Sequence, residues 1–281
     1  MKDLQGKTAV ITGGASGIGL GMAQRFGADG MKLVLADIEA DALQVAAAGL
    51  RADGIEVVTR VTDVSVGDEV DALGVAALEA FGAVHLVCNN AGVGGGGQTD
   101  QLTTADWEWV LGVNLWGVIH GMRVFLPMLL AQDEGHIVNT ASMAGLIAGP
   151  FMGPYNASKF AVVAISETTR NELTLLGSGV GISVLCPAWV RTRIHESARN
   201  RPDELRNEPS PETDARESAI SGVVAGLIEA GLAPDAVARQ VADAVRDDTF
   251  YILTHEGTEV AVRARMEAIV DGGRPPMMGP Q

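Results

Sequence analysis

The sequence predicts a doubly wound α/β domain: a parallel sheet of about seven strands with helices on both faces. Three observations carry that expectation. Short apolar runs alternate with longer segments of helical periodicity along the chain, the pattern that strand–helix–strand units with right-handed crossovers produce. The strand-like runs, such as "KTAVITG" and "KLVLADI", are nearly continuous in apolar residues rather than alternating, which marks strands buried on both faces. With 281 residues, 47% of them hydrophobic, the chain suits one large domain with a substantial core.

Taken in order, residues 7–13 read as the first strand and 17–30 ("GIGLGMAQRFGADG") as a helix halted by glycine. Strand 32–38 and helix 39–54 follow, then strand 55–64 and a helix running to about Phe81. The runs 84–92, 135–142, 181–187 and 249–255 complete the strands, and helical patterns fill 104–132, 155–177 and 234–246. Two segments depart from the alternation. Residues 92–100 ("GVGGGGQTD") form a glycine-rich loop after the fourth strand. Residues at about 193–233 begin charged and proline-bearing and end in an apolar run, "SAISGVVAGLIEAGL". An insertion of that size between the last two strands is expected to cover a site as a lid. The tail at about 272–281 reads as irregular, and the whole of 1–281 is expected to form a single domain.

Composition narrows the function classes. The formal net charge of −15, from 20 Lys+Arg and 35 Asp+Glu, repels a nucleic-acid duplex and an anionic membrane surface. Neither is expected as a partner. Cys88 and Cys186 each end an apolar run, make no disulfide framework, and suit a reducing cytoplasm. No His/Cys set has metal-ligand spacing, so no metal is expected. The N-terminal residues lack the apolar core of a secretory signal, and no apolar run reads as long and unbroken enough to span a bilayer.

The first candidate site is "TGGASGIG", Thr12 to Gly19, lying between a strand and a helix. Gly13, Gly17 and Gly19 permit a sharp turn and a close backbone approach, and a helix N-terminus offers free N–H groups to a pyrophosphate. Asp37 ends the second strand, where a carboxylate can bond a ribose 2′-hydroxyl and repel a 2′-phosphate. Ile38 rather than Arg follows it, and the glycine loop holds no basic residue, so NAD is expected over NADP. An ordinary tight turn, and a helix N-cap at Asp37, are the structural alternatives.

The second candidate site is "YNASK". Tyr155 and Lys159 lie one helical turn apart on one face. A free tyrosine, with a pKa near ~10, is a poor base at neutral pH. A neighbouring ammonium stabilises the phenolate and is expected to lower that value. Side-by-side helix packing is the alternative for the pair.

Together "TGGASGIG", "NNAG" at 89–92, Ser142 at a strand end and "YNASK" resemble the short-chain dehydrogenase/reductase family, from about Gly6 to His255. The resemblance implies a Rossmann-type fold, a nicotinamide cofactor, and a homotetramer or homodimer. It implies that Ser16 and Ile18 join the three glycines in holding the cofactor. Asp63 and Val64 would meet the adenine, and Asn90, Ala91 and Gly92 the cofactor's middle. Pro187, Val190 and Thr192 would flank the nicotinamide, with Thr192 on its carboxamide. Asn114 would hold a water in a proton relay. Ser142 would bind the carbonyl oxygen, Tyr155 would act as general acid in reduction and general base in oxidation, and Lys159 would bond the nicotinamide ribose. Ala188 stands where the family has glycine, placing a methyl group where it can crowd the nicotinamide or shift the loop. "LVLADI", "GHIVNTAS", "SVLCP" and "RIHES" are similar to bacterial members that oxidise benzylic or other bulky secondary alcohols.

The spacing of Tyr155 and Lys159 with Ser142 upstream fits alcohol–ketone interconversion. Residues 143–153 ("MAGLIAGPFMG"), glycines 94–97, Trp189 and the 195–232 insertion are expected to line the pocket. Their apolar character points to a bulky apolar or aromatic ketone or secondary alcohol as substrate. An NADP-dependent 3-oxoacyl-thioester reductase is a second reading, opposed by Asp37 and the acidic insertion. A non-catalytic dinucleotide sensor is a third, opposed by the presence of both Tyr155 and Lys159. Trp107, Trp109 and Trp116 are expected in the core or a subunit interface, and His120 and His195 as bystanders.

Overall fold

The computed structural model describes residues 1–208 and 222–276; residues 209–221 of the expected lid and 277–281 of the expected tail lie outside the described residues. Seven strands are present: β1 (Thr8–Thr12), β2 (Lys32–Asp37), β3 (Val57–Val61), β4 (Leu86–Asn89), β5 (Gly135–Thr140), β6 (Val180–Cys186) and β7 (Tyr251–Leu253). They form one sheet in the order β3-β2-β1-β4-β5-β6-β7, and every neighbouring pair is parallel. Between them run α1 (Gly17–Ala28), α2 (Ala40–Ala52), α3 (Gly67–Phe81), α4 (Thr104–Leu111), α5 (Gly117–Gln132) and α6 (Gly153–Leu176). Residues 222–229 are helical (α7), followed by α8 (Pro234–Asp247) and α9 (Thr258–Val270). This is a single Rossmann-type α/β domain.

The continuous apolar strands divide between two cores, because successive side chains leave a strand on opposite faces. Ile11, Leu33 and Leu35 pack with Met22, Phe26, Leu43 and Val241 on one side of the sheet. Val10, Val34 and Val87 pack with Leu73, Phe125 and Leu129 on the other. Each such buried side chain contributes about 1.5–3 kcal/mol, so the sheet is the rigid part from which loops project. Glycine C-caps in the left-handed region stop two of the covering helices, Gly82 after α3 and Gly177 after α6.

The observed elements differ from the expected ones where the chain turns toward a site. The run 84–92 pairs only as Leu86–Asn89, because the chain leaves the sheet at Asn90. The single helix expected over 104–132 is broken by a π-helical turn, Gly112–Trp116, a feature that often marks a functional site. Helix α9 was not expected at all; Thr258 is its one buried residue, so it carries no apolar stripe. The run Thr104–Gln132 is also, by length and hydropathy, apolar enough to cross a membrane, which corrects the sequence reading. Its apolar character has a local cause: Val118, Phe125 and Leu129 fill the second core.

A buried polar chain fixes α5 and α6 against the sheet. Asn89 Nδ2 donates to Asn139 Oδ1 at 2.8 Å, and Asn139 Nδ2 donates to Ser166 Oγ at 3.0 Å. Helix α5 comes this close because position 121 is glycine: a Cβ there would lie 2.0 Å from Asn89 Oδ1. Gly121→Ala is therefore expected to cost about 1–3 kcal/mol through overpacking, measured as a fall in urea midpoint with unchanged slope.

Candidate active site

Strands β1 and β4 are neighbours whose following helices lie on opposite faces, so a crevice opens beyond their C-terminal ends. Thr12 holds its edges together. Its hydroxyl oxygen accepts from Asn90 N at 2.9 Å and Ala91 N at 3.1 Å, while Asn90 Nδ2 donates to Thr12 O at 3.0 Å. Thr140, at the end of β5, donates its hydroxyl to Asn90 Oδ1 at 3.3 Å. Neither threonine stood out in the sequence, although Thr12 opens the glycine motif.

The glycine loop passes over this clamp. Gly13 has φ +64° and Gly17 φ +54°, a region costly for side chains other than glycine. A Cβ on Gly13 would lie 2.9 Å from Ala91 Cα, and one on Gly19 only 2.0 Å from Gly13 O. Ser16, the N-cap of α1, makes no side-chain cap bond. The loop is thus a backbone cradle at an uncapped helix N-terminus, which fits a dinucleotide pyrophosphate. Asp37 lies at the rim, its carboxylate accepting from Ala15 N and Glu39 N, each at 3.0 Å. Burial raises its pKa, and those two N–H donors oppose the rise.

The cleft has a volume of about 1240 Å³. Gly13, Ser16, Gly17, Ile18, Asp37, Asp63, Val64, Asn90, Ala91, Gly92, Ser142, Tyr155, Lys159, Pro187, Val190 and Thr192 all line it. Two expected residues stand behind the wall. Gly19 is buried and serves close packing. Asn114 is fully buried in the π-helical turn; its Oδ1 accepts from Val93 N at 2.8 Å and its Nδ2 donates to Val93 O at 2.9 Å. Its side chain thereby fixes the start of the glycine-rich loop.

At the inner end of the cleft Lys159 Nζ donates to Thr140 O at 2.9 Å and lies 5.6 Å from the Tyr155 ring centroid. Burial lowers the Lys159 pKa to about 8. Burial also raises the Tyr155 pKa, with the Ser142 hydroxyl acting the other way. The expected lowering of Tyr155 by Lys159 is therefore corrected: desolvation dominates and the Tyr155 pKa is raised, while one N–H of the ammonium goes to the Thr140 carbonyl. Ser142 Oγ donates to Pro187 O at 3.2 Å, joining it to the segment after β6.

That segment is held by a residue the sequence reading passed over. His255 Nδ1 accepts from Ala188 N at 3.3 Å and its Nε2 lies 2.9 Å from Trp189 O. Ala188 is not among the residues with positive φ, so alanine in place of the family glycine imposes no backbone strain.

The outer wall carries an apolar group, Val110, Ile147, Met152, Trp189, Ile194 and Ile228, beside charged residues such as Asp106, Glu108 and Arg201. Gly97 N donates to Phe151 O at 2.9 Å. Phe151 has φ +61°, a strained conformation for a bulky residue, and its side chain is exposed at the mouth. Residues 193–208 cross between the two halves of the cleft. Arg199 and Asn200 bond Glu39, beside Asp37, while Arg201 Nη1 donates to Asp106 Oδ1 at 2.7 Å and its guanidinium lies 5.2 Å from the Trp109 ring centroid. The far end of the insertion is stitched down by Leu232 N to Trp189 O at 2.9 Å. Trp109 thus belongs to the cleft, whereas Trp116 is exposed and stacks on His120.

Residues 7–203 match the short chain dehydrogenase family. Over 100% of its length the chain is 34% identical to the C alpha-dehydrogenase of Sphingobium sp., of which 91% is covered. It is also 34% identical to a CLA biosynthesis dehydrogenase/reductase of Lactiplantibacillus plantarum, over 98% of this chain and 97% of the relative. A solved short chain dehydrogenase/reductase from Burkholderia phymatum, in complex with NAD, superposes with a TM-score of 0.96 at 47% identity, covering 100% of both chains.

The buried lysine gives a test of the site's electrostatics. Its folded pKa, about 8, lies below the ordinary 10.5. Between those values the unfolded chain binds the extra proton, so this group's contribution to stability rises with pH across the window and is least favourable below it. Lys159→Met is expected to be more stable than wild type at neutral pH by about 2 kcal/mol, after discounting the hydrogen bond to Thr140. In urea titrations at a series of pH values, that margin should shrink as the pH passes from 8 to 10.5.

Proposed function

The chain belongs to the short-chain dehydrogenase family, and on that premise we propose that it is an NAD-dependent oxidoreductase. It interconverts a bulky apolar or aromatic secondary alcohol and its ketone. The observation that carries this reading is that one cleft contains Asp37 at its cofactor rim, Ser142, Tyr155 and Lys159 at its inner end, and an apolar outer wall. The glycine cradle would hold the pyrophosphate of a dinucleotide, and Pro187, Val190 and Thr192 would flank its nicotinamide, which would supply the hydride chemistry.

The protein's part is proton transfer and positioning. The Ser142 hydroxyl bonds the substrate oxygen and holds it against Tyr155. In the oxidative direction the Tyr155 phenolate oxygen takes the hydroxyl proton; in reduction it gives that proton to the ketone oxygen. Burial raises the Tyr155 pKa, which keeps the phenol protonated for the reductive direction, and Lys159 is placed to bond the nicotinamide ribose. Asp37, a half-buried carboxylate at the rim, would accept hydrogen bonds from the adenosine ribose and repel a phosphate there. The apolar wall excludes water and selects bulk.

The test follows reduced nicotinamide by absorbance, with NAD and NADP in parallel, against a panel of bulky secondary alcohols. Turnover is expected with NAD. Tyr155→Phe should lower kcat/KM by roughly 10³-fold with NAD binding, followed by calorimetry, retained. Binding of NAD without turnover of any panel member would overturn the reading.

A further inference from the structure

Beside Asp37 the cleft rim is crossed by arginines of the lid, and each is held by a carboxylate of the chain. Glu39 Oε1 receives Arg199 Nη2 at 2.6 Å, Arg199 Nε at 3.0 Å and Asn200 Nδ2 at 2.9 Å. Arg199 Nη1 donates to Arg193 O at 3.1 Å, and Arg193 Nε donates to Glu196 Oε2 at 2.7 Å. Glu39 is two residues beyond Asp37, and its N–H bonds the Asp37 carboxylate. The Glu39–Arg199 contact joins residues 160 apart in the chain and carries side chains about a quarter exposed, so it is only partly screened by water.

A phosphate is recognised by a guanidinium with free N–H groups. Arg199 is a guanidinium at the rim, but its charge is paired with Glu39, and its Nε–H and one N–H on each Nη are already bonded within the chain. We propose that Glu39 is a specificity-determining residue: by holding Arg199 it withholds the cation that a 2′-phosphate on the adenosine ribose would need. Asp37 rejects the phosphate directly, and Glu39 removes the partner that would compensate. This inference rests on the proposed NAD preference. It separates from a purely mechanical role, in which the Glu39–Arg199 contact fastens the lid, because fastening affects NAD and NADP alike.

The test is binding, not turnover: calorimetric Kd values for NAD and NADP, at low and high salt. Glu39→Gln keeps an acceptor for Asn200 while removing the charge that pins Arg199. NADP is expected to bind about tenfold tighter in this variant, less so at high salt, with NAD affinity unchanged. Glu39→Ala should behave in the same way, and the double variant Glu39→Gln/Arg199→Gln should lose the gain. An unchanged NADP Kd in Glu39→Gln, or an equal shift for both dinucleotides, overturns the proposal while leaving the NAD reading intact. A wild-type protein that binds NADP as tightly as NAD overturns the NAD reading itself, and this inference with it.

Discussion

The Thr12 hydroxyl is the contact on which the site depends. Where β1 and β4 separate, two part-buried backbone N–H groups, those of Asn90 and Ala91, have left the sheet and need an acceptor; Thr12 Oγ1 supplies it. The Asn90 amide then returns a bond to Thr12 O and receives one from Thr140. This three-strand knot sets the position of Ala91, against which Gly13 must pack without a side chain. The carbonyl of the same Thr140 anchors Lys159. The glycine loop and Lys159 at the inner end of the cleft are therefore fixed to one another through strand ends.

The inner end of the cleft shows how burial and charge compete. Desolvation raises the pKa of Tyr155 and lowers that of Lys159, so burial opposes a phenolate–ammonium couple. A residue spacing of four states that two groups are neighbours; it does not state what either is bonded to. Here the ammonium is bonded to a strand carbonyl, and burial outweighs the Ser142 hydroxyl at Tyr155. The electrostatic reading of the sequence was wrong in sign for that reason, though the residues it singled out do share the cleft.

Strand and helix order was legible because each element announces itself locally: β1 by an apolar run, α1 by the glycines before it, α6 by its Gly177 stop. The cradle was legible because its glycines lie within eight residues of sequence. Contacts between distant segments were not. Nothing near Glu39 announces Arg199, and nothing near Ala188 announces His255. Helix α9 left no pattern because a helix that buries a single residue has no stripe to display. Asn114 was picked out by its motif, yet its place behind the wall follows from the π-helical turn, which periodicity alone does not reveal.

Phe151 has an evolutionary consequence. Its backbone sits where glycine or asparagine rests at ease and phenylalanine does not, yet the neighbouring glycine strand holds it there, since any side chain at Gly96 would strike its carbonyl. The conformation belongs to the site, not to the residue. Drift at position 151 therefore meets little resistance from the scaffold, and several replacements would ease the backbone. The mouth of the cleft can thus vary at position 151 while Tyr155, four residues on, stays anchored in a helix.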